Sequence, residues 1–228
     1  NFPEVFAAAV TRFGDRPAVS VRGPSGVRRF TYRQLDDMAA RAAARLRVAG
    51  VSPGERCAIL AENSAEWCAV YLGVLRLGAI AVPFDTNYSQ AQVATLLRDS
   101  GARRLVTSAR CAETASTAGQ DTGTPVVALA ALLAPEGPGP DAPPVPAITP
   151  DQPAVILYTS GTTADPKGVV LTHANLLGER DGAFAVVPVD ERDVVLGVLP
   201  LFHSLAQMAN LLLPFSIGAH VVFLETLN

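Results

Sequence analysis

The sequence predicts an α/β protein in which parallel-rich sheets are flanked by helices and form two sheet lobes. Helical and strand-like segments alternate along the chain, and the strand-like segments are short, uninterrupted apolar runs. Uninterrupted apolar strands are typical of parallel sheets that helices cover on both faces. Polar residues with the spacing of helix caps precede several helical segments, which supports the same alternation.

Capping boxes predict where the helices of the first half begin. In a capping box, a polar residue and a Gln or Glu three positions later satisfy two free backbone N–H groups at the helix start. Pairs with this spacing are Thr31 with Gln34, Asn63 with Glu66, and Ser89 with Gln92. The predicted helices end near Gly50, Leu77 and Gly101. Strands are predicted between and after them, at 57–60, 79–83 and 105–107.

A change in composition divides the chain. Residues 125–153 hold nine of the 18 prolines, and sequence rich in Pro and Gly does not build a packed core. We therefore predict a first α/β lobe at 1–111, a linker rich in Pro, Gly and Ala at 112–153, and a second α/β lobe at 154–228. Within the second lobe, strands are predicted at 154–158, 194–199 and 220–224, with helices from His173 and at 204–213.

Composition and charge exclude several classes of protein. Apolar residues make up 49% of the chain and charged residues 17%, which excludes a disordered chain. The net charge of −3 leaves no global basic surface for nucleic acid. The three cysteines lack disulfide or zinc-site spacing, and polar residues interrupt the longest apolar stretch, at 208–224. These features predict a cytoplasmic protein without a membrane span.

The segment 158–168 carries the strongest functional signal. Its sequence, YTSGTTADPKG, places five hydroxyl groups, two glycines and one lysine directly after a predicted strand. Hydroxyls and free backbone N–H groups in a turn-rich loop can surround phosphate oxygens, and the ammonium group of Lys167 can reach a terminal phosphate. A standard P-loop is excluded, because Pro166 precedes Lys167 and Gly168 follows it.

Residues 158–173, YTSGTTADPKGVVLTH, resemble the phosphate-loop signature of adenylate-forming enzymes. This superfamily contains acyl- and aryl-CoA synthetases, peptide-synthetase adenylation domains and beetle luciferases. Segments 30–35, 71–85, 199–203 and 214–219 also resemble motifs of the family, so the resemblance extends over nearly the whole chain. Within the superfamily, the chain looks most like the N-terminal subdomain of a fatty acyl-CoA or acyl-AMP ligase.

The resemblance implies a two-step reaction. A small-molecule carboxylate attacks the α-phosphate of ATP to give an acyl-adenylate and pyrophosphate. The acyl group then passes to the thiol of CoA or of the phosphopantetheine of an acyl carrier protein. By the same resemblance, the loop cradles the β- and γ-phosphates, and one of its threonine hydroxyls meets Mg²⁺. The residues to which this role carries over are Thr159, Ser160, Gly161, Thr162, Thr163 and Lys167.

The chain departs from the family pattern in two ways. Ala164 stands where the family usually has glycine, which costs roughly 1–2 kcal/mol if this residue needs a left-handed backbone. The family's later glutamate-bearing motif, its ribose-binding aspartate and its late catalytic lysine have no match before Asn228. The sequence also opens on Asn1 and closes just after an apolar run. We therefore expect a fragment that is inactive alone and needs the C-terminal portion of the same enzyme.

His203, in the segment LPLFH, is the candidate catalytic residue. The resemblance implies that it orients the carboxylate through a hydrogen bond, whereas its apolar surroundings also suit a histidine of the core. Trp67 and the apolar segment 205–213 are predicted to pack in the core. Two alternatives to an acyl-CoA synthetase remain open. One is an adenylation domain of a peptide or polyketide synthetase that activates an amino or aryl acid, and the other is a non-catalytic nucleotide-binding or interaction module.

Overall fold

The computed structural model describes residues 1–135, 146–159 and 167–225, with Thr159 described by its backbone alone. Its helices are α1 (Phe2–Phe13), α2 (Tyr32–Val48), α3 (Ala65–Arg76), α4 (Gln90–Ser100), α5 (Ala112–Thr122), α6 (Leu129–Leu133), α7 (His173–Phe184), α8 (Ser204–Gln207) and α9 (Leu213–Ile217). A π-helical segment, Met208–Leu212, joins α8 to α9. Its strands are β1 (Pro17–Gly23), β2 (Gly26–Thr31), β3 (Arg56–Leu60), β4 (Ile80–Pro83), β5 (Arg104–Thr107), β6 (Val126–Ala128), β7 (Pro153–Thr159), β8 (Lys167–Thr172), β9 (Val194–Gly197) and β10 (His220–Leu224).

The described strands form two sheets, which confirms the predicted α/β class. One sheet has six strands in the order β6-β5-β3-β4-β7-β8, and its pairs are parallel except that β8 runs antiparallel to β7. The other has four strands in the order β2-β1-β10-β9, with β2 antiparallel to β1. All four residues of β4 are buried, as expected for a parallel strand inside a covered sheet.

The two sheets do not follow the predicted lobes 1–111 and 154–228. The early strand β1 pairs with the late strand β10, with Val19 opposite Val221. The late strand β7 in turn joins the six-stranded sheet beside β4, with Ala81 opposite Val155. Both parts of the chain therefore contribute to both sheets, and a boundary drawn from composition does not separate them.

The predicted linker at 112–153 is wrong for its first half. Residues 112–133 form α5, β6 and α6, and β6 pairs with β5 as the edge of the six-stranded sheet. Ala115 and Ala118 of α5 are fully buried, so this alanine-rich stretch packs against the sheet. The proline-rich signal arises further along the chain, and residues 136–145 lie outside the described part.

The helix caps confirm two of the three predicted capping boxes. Thr31 and Ser89 each accept from the backbone N–H three residues on, and Gln34 and Gln92 complete the two boxes. The prediction that Asn63 caps the second helix is wrong. Ser64 caps α3 by accepting from the backbone N–H of Trp67 at 3.0 Å, while the side chain of Asn63 makes tertiary hydrogen bonds that are described below.

Helices α2 and α3 pack closely in the core. Trp67 is 1% exposed, as predicted, and its ring stacks on that of Tyr71 with centroids 5.2 Å apart. At Gly73, an added Cβ would lie 2.8 Å from the carbonyl oxygen of Ala39 and 2.8 Å from the Cβ of Ala42. The two helix backbones can approach this closely only because residue 73 has no side chain.

In the part of the chain that the structure describes, no helix is both long and apolar enough to cross a membrane. The same residues contain no group of three His, Cys, Asp or Glu side chains placed to hold a metal ion. Cys57, Cys68 and Cys111 are buried free thiols, in agreement with the absence of disulfide spacing. Burial raises the pKa of Cys57 to about 12, so this thiol is protonated and serves as an apolar core residue.

His173, the first residue of α7, is buried beneath the start of α1. It is 1% exposed, and its Nδ1 accepts from the backbone N–H of Phe2 at 3.5 Å. Burial is the main reason that the pKa of His173 is lowered to about 4. The imidazole is therefore neutral at pH 7, and in the neutral ring Nδ1 can accept this hydrogen bond.

We expect His173 to make the fold acid-sensitive. The unfolded chain binds a proton at this residue below pH 6.5 and the folded chain only below about pH 4, so stability falls as pH decreases through this interval. The loss amounts to at most about 3 kcal/mol. Urea unfolding at pH 7 and pH 4.5 should show a larger loss for the wild type than for His173→Asn. Equal losses in the two proteins would contradict the prediction.

Candidate functional site

A cleft of about 830 Å³ opens where the parallel strands of both sheets end. Glu62 and Asn63 follow β3, Arg110 follows β5, Val198 follows β9 and Glu225 follows β10, and all five residues line the cleft. In open α/β sheets, ligands bind in the crevice outside the carboxyl ends of the strands. The position of the cleft therefore indicates a binding site that both sheets share.

The segment predicted to bind phosphate leaves the six-stranded sheet at this same edge. Strand β7 runs parallel to β4 and ends at Thr159, so the connection from β7 to β8 begins at the carboxyl edge. Thr159 pairs with Lys167 across the antiparallel β7–β8 pair, which closes a hairpin around residues 160–166. The backbone of Thr159 and all of Lys167 lie within the described residues. The predicted site residues Ser160, Gly161, Thr162 and Thr163, and with them Ala164, lie outside the described residues.

Lys167 is the only lysine in the sequence, whereas the other 17 basic residues are arginines. Its side chain is exposed at the first position of β8. Among the residues that the structure describes, no carboxylate lies within ion-pair distance of its ammonium group. Many of the arginines, by contrast, form ion pairs or hydrogen bonds to carbonyl oxygens. A compact, solvated ammonium group beside the hairpin loop is suited to the terminal phosphate of a nucleotide.

Tyr158 anchors the strand directly before the loop. Its hydroxyl donates to Asp99 Oδ2 at 2.5 Å, and its ring lies 6.2 Å from that of Phe84. Burial, followed by the hydrogen bond to Asp99, raises the pKa of Tyr158, so the hydroxyl remains a donor at physiological pH. Gly168 lies opposite Tyr158, and a Cβ there would lie 3.3 Å from the tyrosine ring and 2.9 Å from Ile156 Cγ2. The absence of a side chain at residue 168 therefore lets the ring of Tyr158 lie across β8.

Charged side chains that line the cleft form ion pairs with one another. Arg28 on β2 lies 2.6 Å from Glu66 on α3 and 3.8 Å from Glu225 after β10. In a second pair, Arg110 lies 3.8 Å from Glu62 and remains largely exposed. Sequence reasoning missed these residues, because they belong to different elements and share no motif spacing.

His203 lies at the start of α8, beside the cleft. Its side chain is exposed, which excludes the alternative of a buried core histidine, and its ring centroid is 4.2 Å from that of Phe202. Phe202 lines the cleft together with Val198 and Pro200. The structure thus places His203 next to a wall of the cleft formed by the four-stranded sheet, while Lys167 lies on the six-stranded sheet.

Comparisons with known proteins found similarity along nearly the whole chain. The family model described as AMP-binding enzyme matches residues 6–228. The long-chain-fatty-acid–CoA ligase FadD13 of Mycobacterium tuberculosis is 34% identical over 200 residues, which cover 80% of this chain and 37% of that protein. The crotonobetaine/carnitine–CoA ligase of Salmonella typhi is 31% identical over 241 residues, which cover 99% of this chain and 46% of that protein.

Two further comparisons extend this result. Surfactin synthase subunit 2 of Bacillus subtilis is 35% identical over 193 residues, which cover 82% of this chain and 5% of that protein. The inhibitor-bound crystal structure of the N-terminal domain of FACL13 from Mycobacterium tuberculosis superposes with a TM-score of 0.89 and 30% identity, covering 100% of this chain and 58% of that one. The chain thus spans less than half the length of the two CoA ligases, 37% and 46% respectively.

Proposed function

The chain belongs to the family of AMP-binding enzymes, and on this basis we propose that it forms the N-terminal part of a ligase that activates a carboxylate with ATP. The acyl-CoA ligases to which it is similar support an acid–thiol ligase as the class of enzyme. We refer to the longer protein in which this chain would act as the complete ligase. The buried free thiols of Cys57, Cys68 and Cys111 support the proposal that this ligase is cytoplasmic.

The reaction requires a binding site for a departing pyrophosphate. A carboxylate oxygen attacks the α-phosphorus of ATP, the bond to the β-phosphate oxygen breaks, and acyl-adenylate and pyrophosphate form. A thiol, of CoA or of a carrier-protein phosphopantetheine, then attacks the acyl carbon and releases AMP. Phosphoryl and nucleotidyl transfers of this kind depend on positioning and on neutralising charge more than on covalent catalysis by the protein.

The observation that carries the proposal is the place of the only lysine. Lys167 stands exposed at the carboxyl edge of the six-stranded sheet, opposite Thr159, where the hairpin loop begins and ends. In the proposed site, Lys167 holds the β- and γ-phosphates together with the backbone N–H groups and hydroxyls of Thr159, Ser160, Gly161, Thr162 and Thr163. Mg²⁺, when bound with ATP, adds positive charge to the same phosphates.

The carboxylate is proposed to lie on the side of the cleft that His203 flanks. Phe202 supplies an apolar wall there, and the exposed imidazole of His203 beside it would orient the carboxylate by donating a hydrogen bond. The similarity to FadD13 favours a fatty acid as the substrate. An amino or aryl acid, as in a peptide-synthetase adenylation domain, is a second candidate that the similarity to surfactin synthase subunit 2 favours.

The remaining portion of the complete ligase is the partner that this proposal requires. Strand β9 is an edge of the four-stranded sheet, and Val194 and Leu196 on it are 64% and 56% exposed. Val169 and Val170 on the edge strand β8 are also about half exposed. Exposed apolar edge strands are liabilities in a free protein, so we propose that the remaining portion of the ligase covers these two strands. An acyl carrier protein is a second proposed partner, because its phosphopantetheine thiol is the alternative to CoA as the acceptor of the acyl group.

Lysine labelling tests whether the loop binds a triphosphate. Lys167 is the only lysine in the 228-residue chain, so treatment of this chain with pyridoxal phosphate and then borohydride modifies two groups, the Lys167 side chain and the α-amino group. Mass spectrometry of the peptides distinguishes the two modified sites. We expect ATP with Mg²⁺ to slow the modification of Lys167 several-fold and AMP to slow it far less, because AMP lacks the β- and γ-phosphates. The α-amino group serves as the internal control.

Equal protection by AMP and ATP, or no protection by either, would contradict the proposed role of the loop. A parallel assay of ATP–pyrophosphate exchange with carboxylates from acetate to palmitate, and with amino and aryl acids, identifies the substrate class in the complete ligase. We expect no carboxylate-dependent exchange from the 228 residues alone. Protection without exchange in the complete ligase would favour a non-catalytic nucleotide-binding module.

A further inference from the structure

The side chain of Asn63 binds the backbone of the segment that leads to His203. This segment, residues 199–203, connects β9 to α8 and passes along the cleft. Asn63 Nδ2 donates to the carbonyl oxygen of Leu199 at 2.8 Å, and Asn63 Oδ1 accepts from the backbone N–H of Leu201 at 2.9 Å. One side-chain amide thus pairs with the carbonyl before Pro200 and with the N–H after it, as the backbone of a neighbouring β-strand would.

A second layer of buried polar side chains holds the same segment from beneath. Gln207 is 1% exposed, and its Nε2 donates to the carbonyl oxygen of Leu201 at 2.9 Å. The hydroxyl of Tyr71, which is fully buried on α3, donates to Gln207 Oε1 at 3.0 Å. Asn210, within the π-helical segment, is 3% exposed and donates to the carbonyl oxygen of Leu199 at 3.5 Å.

These bonds satisfy four backbone groups of the segment. The carbonyl of Leu199, the N–H and the carbonyl of Leu201, and the carbonyl of Pro200, which accepts from the N–H of His203 at 3.1 Å, all have partners. Burying polar side chains is costly unless their hydrogen bonds are made, and satisfied networks of this kind enforce a single conformation. A π-helical turn inside a helix is also found often at functional sites.

The contact connects the two sheets at the edge where the cleft opens. Asn63 directly follows the strand β3 of the six-stranded sheet, whereas Leu199 and Leu201 follow β9 of the four-stranded sheet. Phe202 and His203 are the next two residues. The amide of Asn63 therefore sets their position relative to the six-stranded sheet. Lys167 belongs to that same six-stranded sheet.

We propose that Asn63 is a positioning residue, which holds Phe202 and His203 at the cleft at a fixed place relative to the six-stranded sheet that carries Lys167. The structural part of this inference stands on the hydrogen bonds above. Its consequence for catalysis, that Asn63 governs binding of the carboxylate, rests on the proposed function. Asn63 also lines the cleft, but the oxygen and the nitrogen of its amide are both engaged with the backbone of the held segment.

NMR of the histidine rings tests the structural part in the chain as it is. The sequence has three histidines, of which His203 follows the held segment, while His173 lies under α1 and His220 Nε2 lies 2.8 Å from Ser20 Oγ. We expect Asn63→Ala to shift or broaden the ring signals of His203 and to leave those of His173 and His220 in place. Assignment of the three signals comes from single His→Gln variants.

A matched control and a second variant make the result decisive. Asn87 also lines the cleft, but its Nδ2 donates to Asp85 Oδ1 at 3.0 Å within its own turn, so Asn87→Ala should leave the His203 signals unchanged. Asn63→Asp keeps an acceptor for Leu201 N–H but sets a carboxylate oxygen against the carbonyl oxygen of Leu199, so the His203 signals should change in this variant as well. Unchanged His203 signals in Asn63→Ala, or equal changes at all three histidines, would overturn the inference.

Kinetics of the complete ligase test the consequence for catalysis. Asn63→Ala should raise the KM for the carboxylate about tenfold, the change that about 1.4 kcal/mol of lost binding produces, and leave the KM for ATP within a factor of about two. Equal rises in both constants would contradict a role specific to the carboxylate. Absence of adenylate formation even in the wild type would refute the proposed function, while the NMR result would still decide the position of His203.

Discussion

Replacement of Lys167 by alanine is expected to lower the rate of adenylate formation by the complete ligase by about 10²–10³-fold. The ammonium group stands at the base of the hairpin loop, and no described carboxylate competes for it. Negative charge grows on pyrophosphate as its bond to the α-phosphorus breaks. A cation that binds the β- and γ-phosphates therefore stabilises the transition state more than the bound substrates, and its loss lowers kcat.

Two variants control for loss of charge and loss of fold. Lys167→Arg keeps the charge but replaces a compact ammonium group by a planar guanidinium group, so we expect an intermediate rate. Arg103, which is exposed just before β5 at the opposite, amino-terminal edge of the same sheet, provides the matched cation, and Arg103→Ala should leave the rate unchanged. ATP–pyrophosphate exchange with saturating carboxylate is the measurement. A rate for Lys167→Ala within a factor of about three of the wild type would exclude the proposed role.

Replacement of Trp67 by alanine is expected to destabilise the chain by about 3–5 kcal/mol. The indole is 1% exposed on α3 and stacks on Tyr71 with an interplanar angle of 14°. Its removal leaves a cavity in the tightly packed region of α2 and α3, where the close contact at Gly73 limits the movement that could fill it. This loss is a large share of the about 5–15 kcal/mol that stabilises an ordinary domain.

Urea unfolding followed by far-ultraviolet circular dichroism is the appropriate measurement, because Trp67 is the only tryptophan and the variant has no intrinsic tryptophan fluorescence. Trp67→Phe keeps an aromatic ring and should lose clearly less stability than Trp67→Ala. A loss of about 0.5 kcal/mol or less in the alanine variant, typical of a surface position, would contradict the assignment of this residue to the core.

Local signals in the sequence predicted the elements that local interactions determine. The pairs Thr31 with Gln34 and Ser89 with Gln92 form capping boxes in the structure, because each box needs contacts within a single helical turn. The apolar runs predicted as strands form β3, β4 and β5, which are almost entirely buried. A parallel strand that helices cover on both faces is apolar on both faces, so the run itself is the signal.

Tertiary contacts decided the cases where the prediction was wrong. Asn63 has the spacing of a helix cap, yet its amide binds Leu199 and Leu201, which are more than 130 residues away in the chain. The apolar run 126–134, which contains β6, lies within the proline-rich window 125–153, and it is ordered because β6 adds to the edge of an existing sheet beside β5. Window-based composition cannot detect either interaction, because the partner lies outside the window.

The candidate site was predictable to the extent that it lies in one continuous segment. The motif around Lys167 is readable because its hydroxyls, glycines and lysine follow each other in the chain. The cleft beside it is built from residues after β3, β5, β9 and β10, and the ion pair of Arg28 with Glu66 joins β2 to α3. Only the strand order brings these residues together, and a single sequence does not reveal that order.

The pairing of β1 with β10 has a consequence for how this protein is made. Val19 and its partner Val221 are separated by 221 − 19 = 202 residues. A ribosome adds about 5–20 residues per second, so about 10–40 s pass between synthesis of the two strands. During that interval one side of β1 has no strand to pair with, although its hairpin with β2 can already form. The four-stranded sheet can thus be completed only after β10 has been synthesised, and its apolar residues depend until then on helix packing or on chaperones for protection from aggregation.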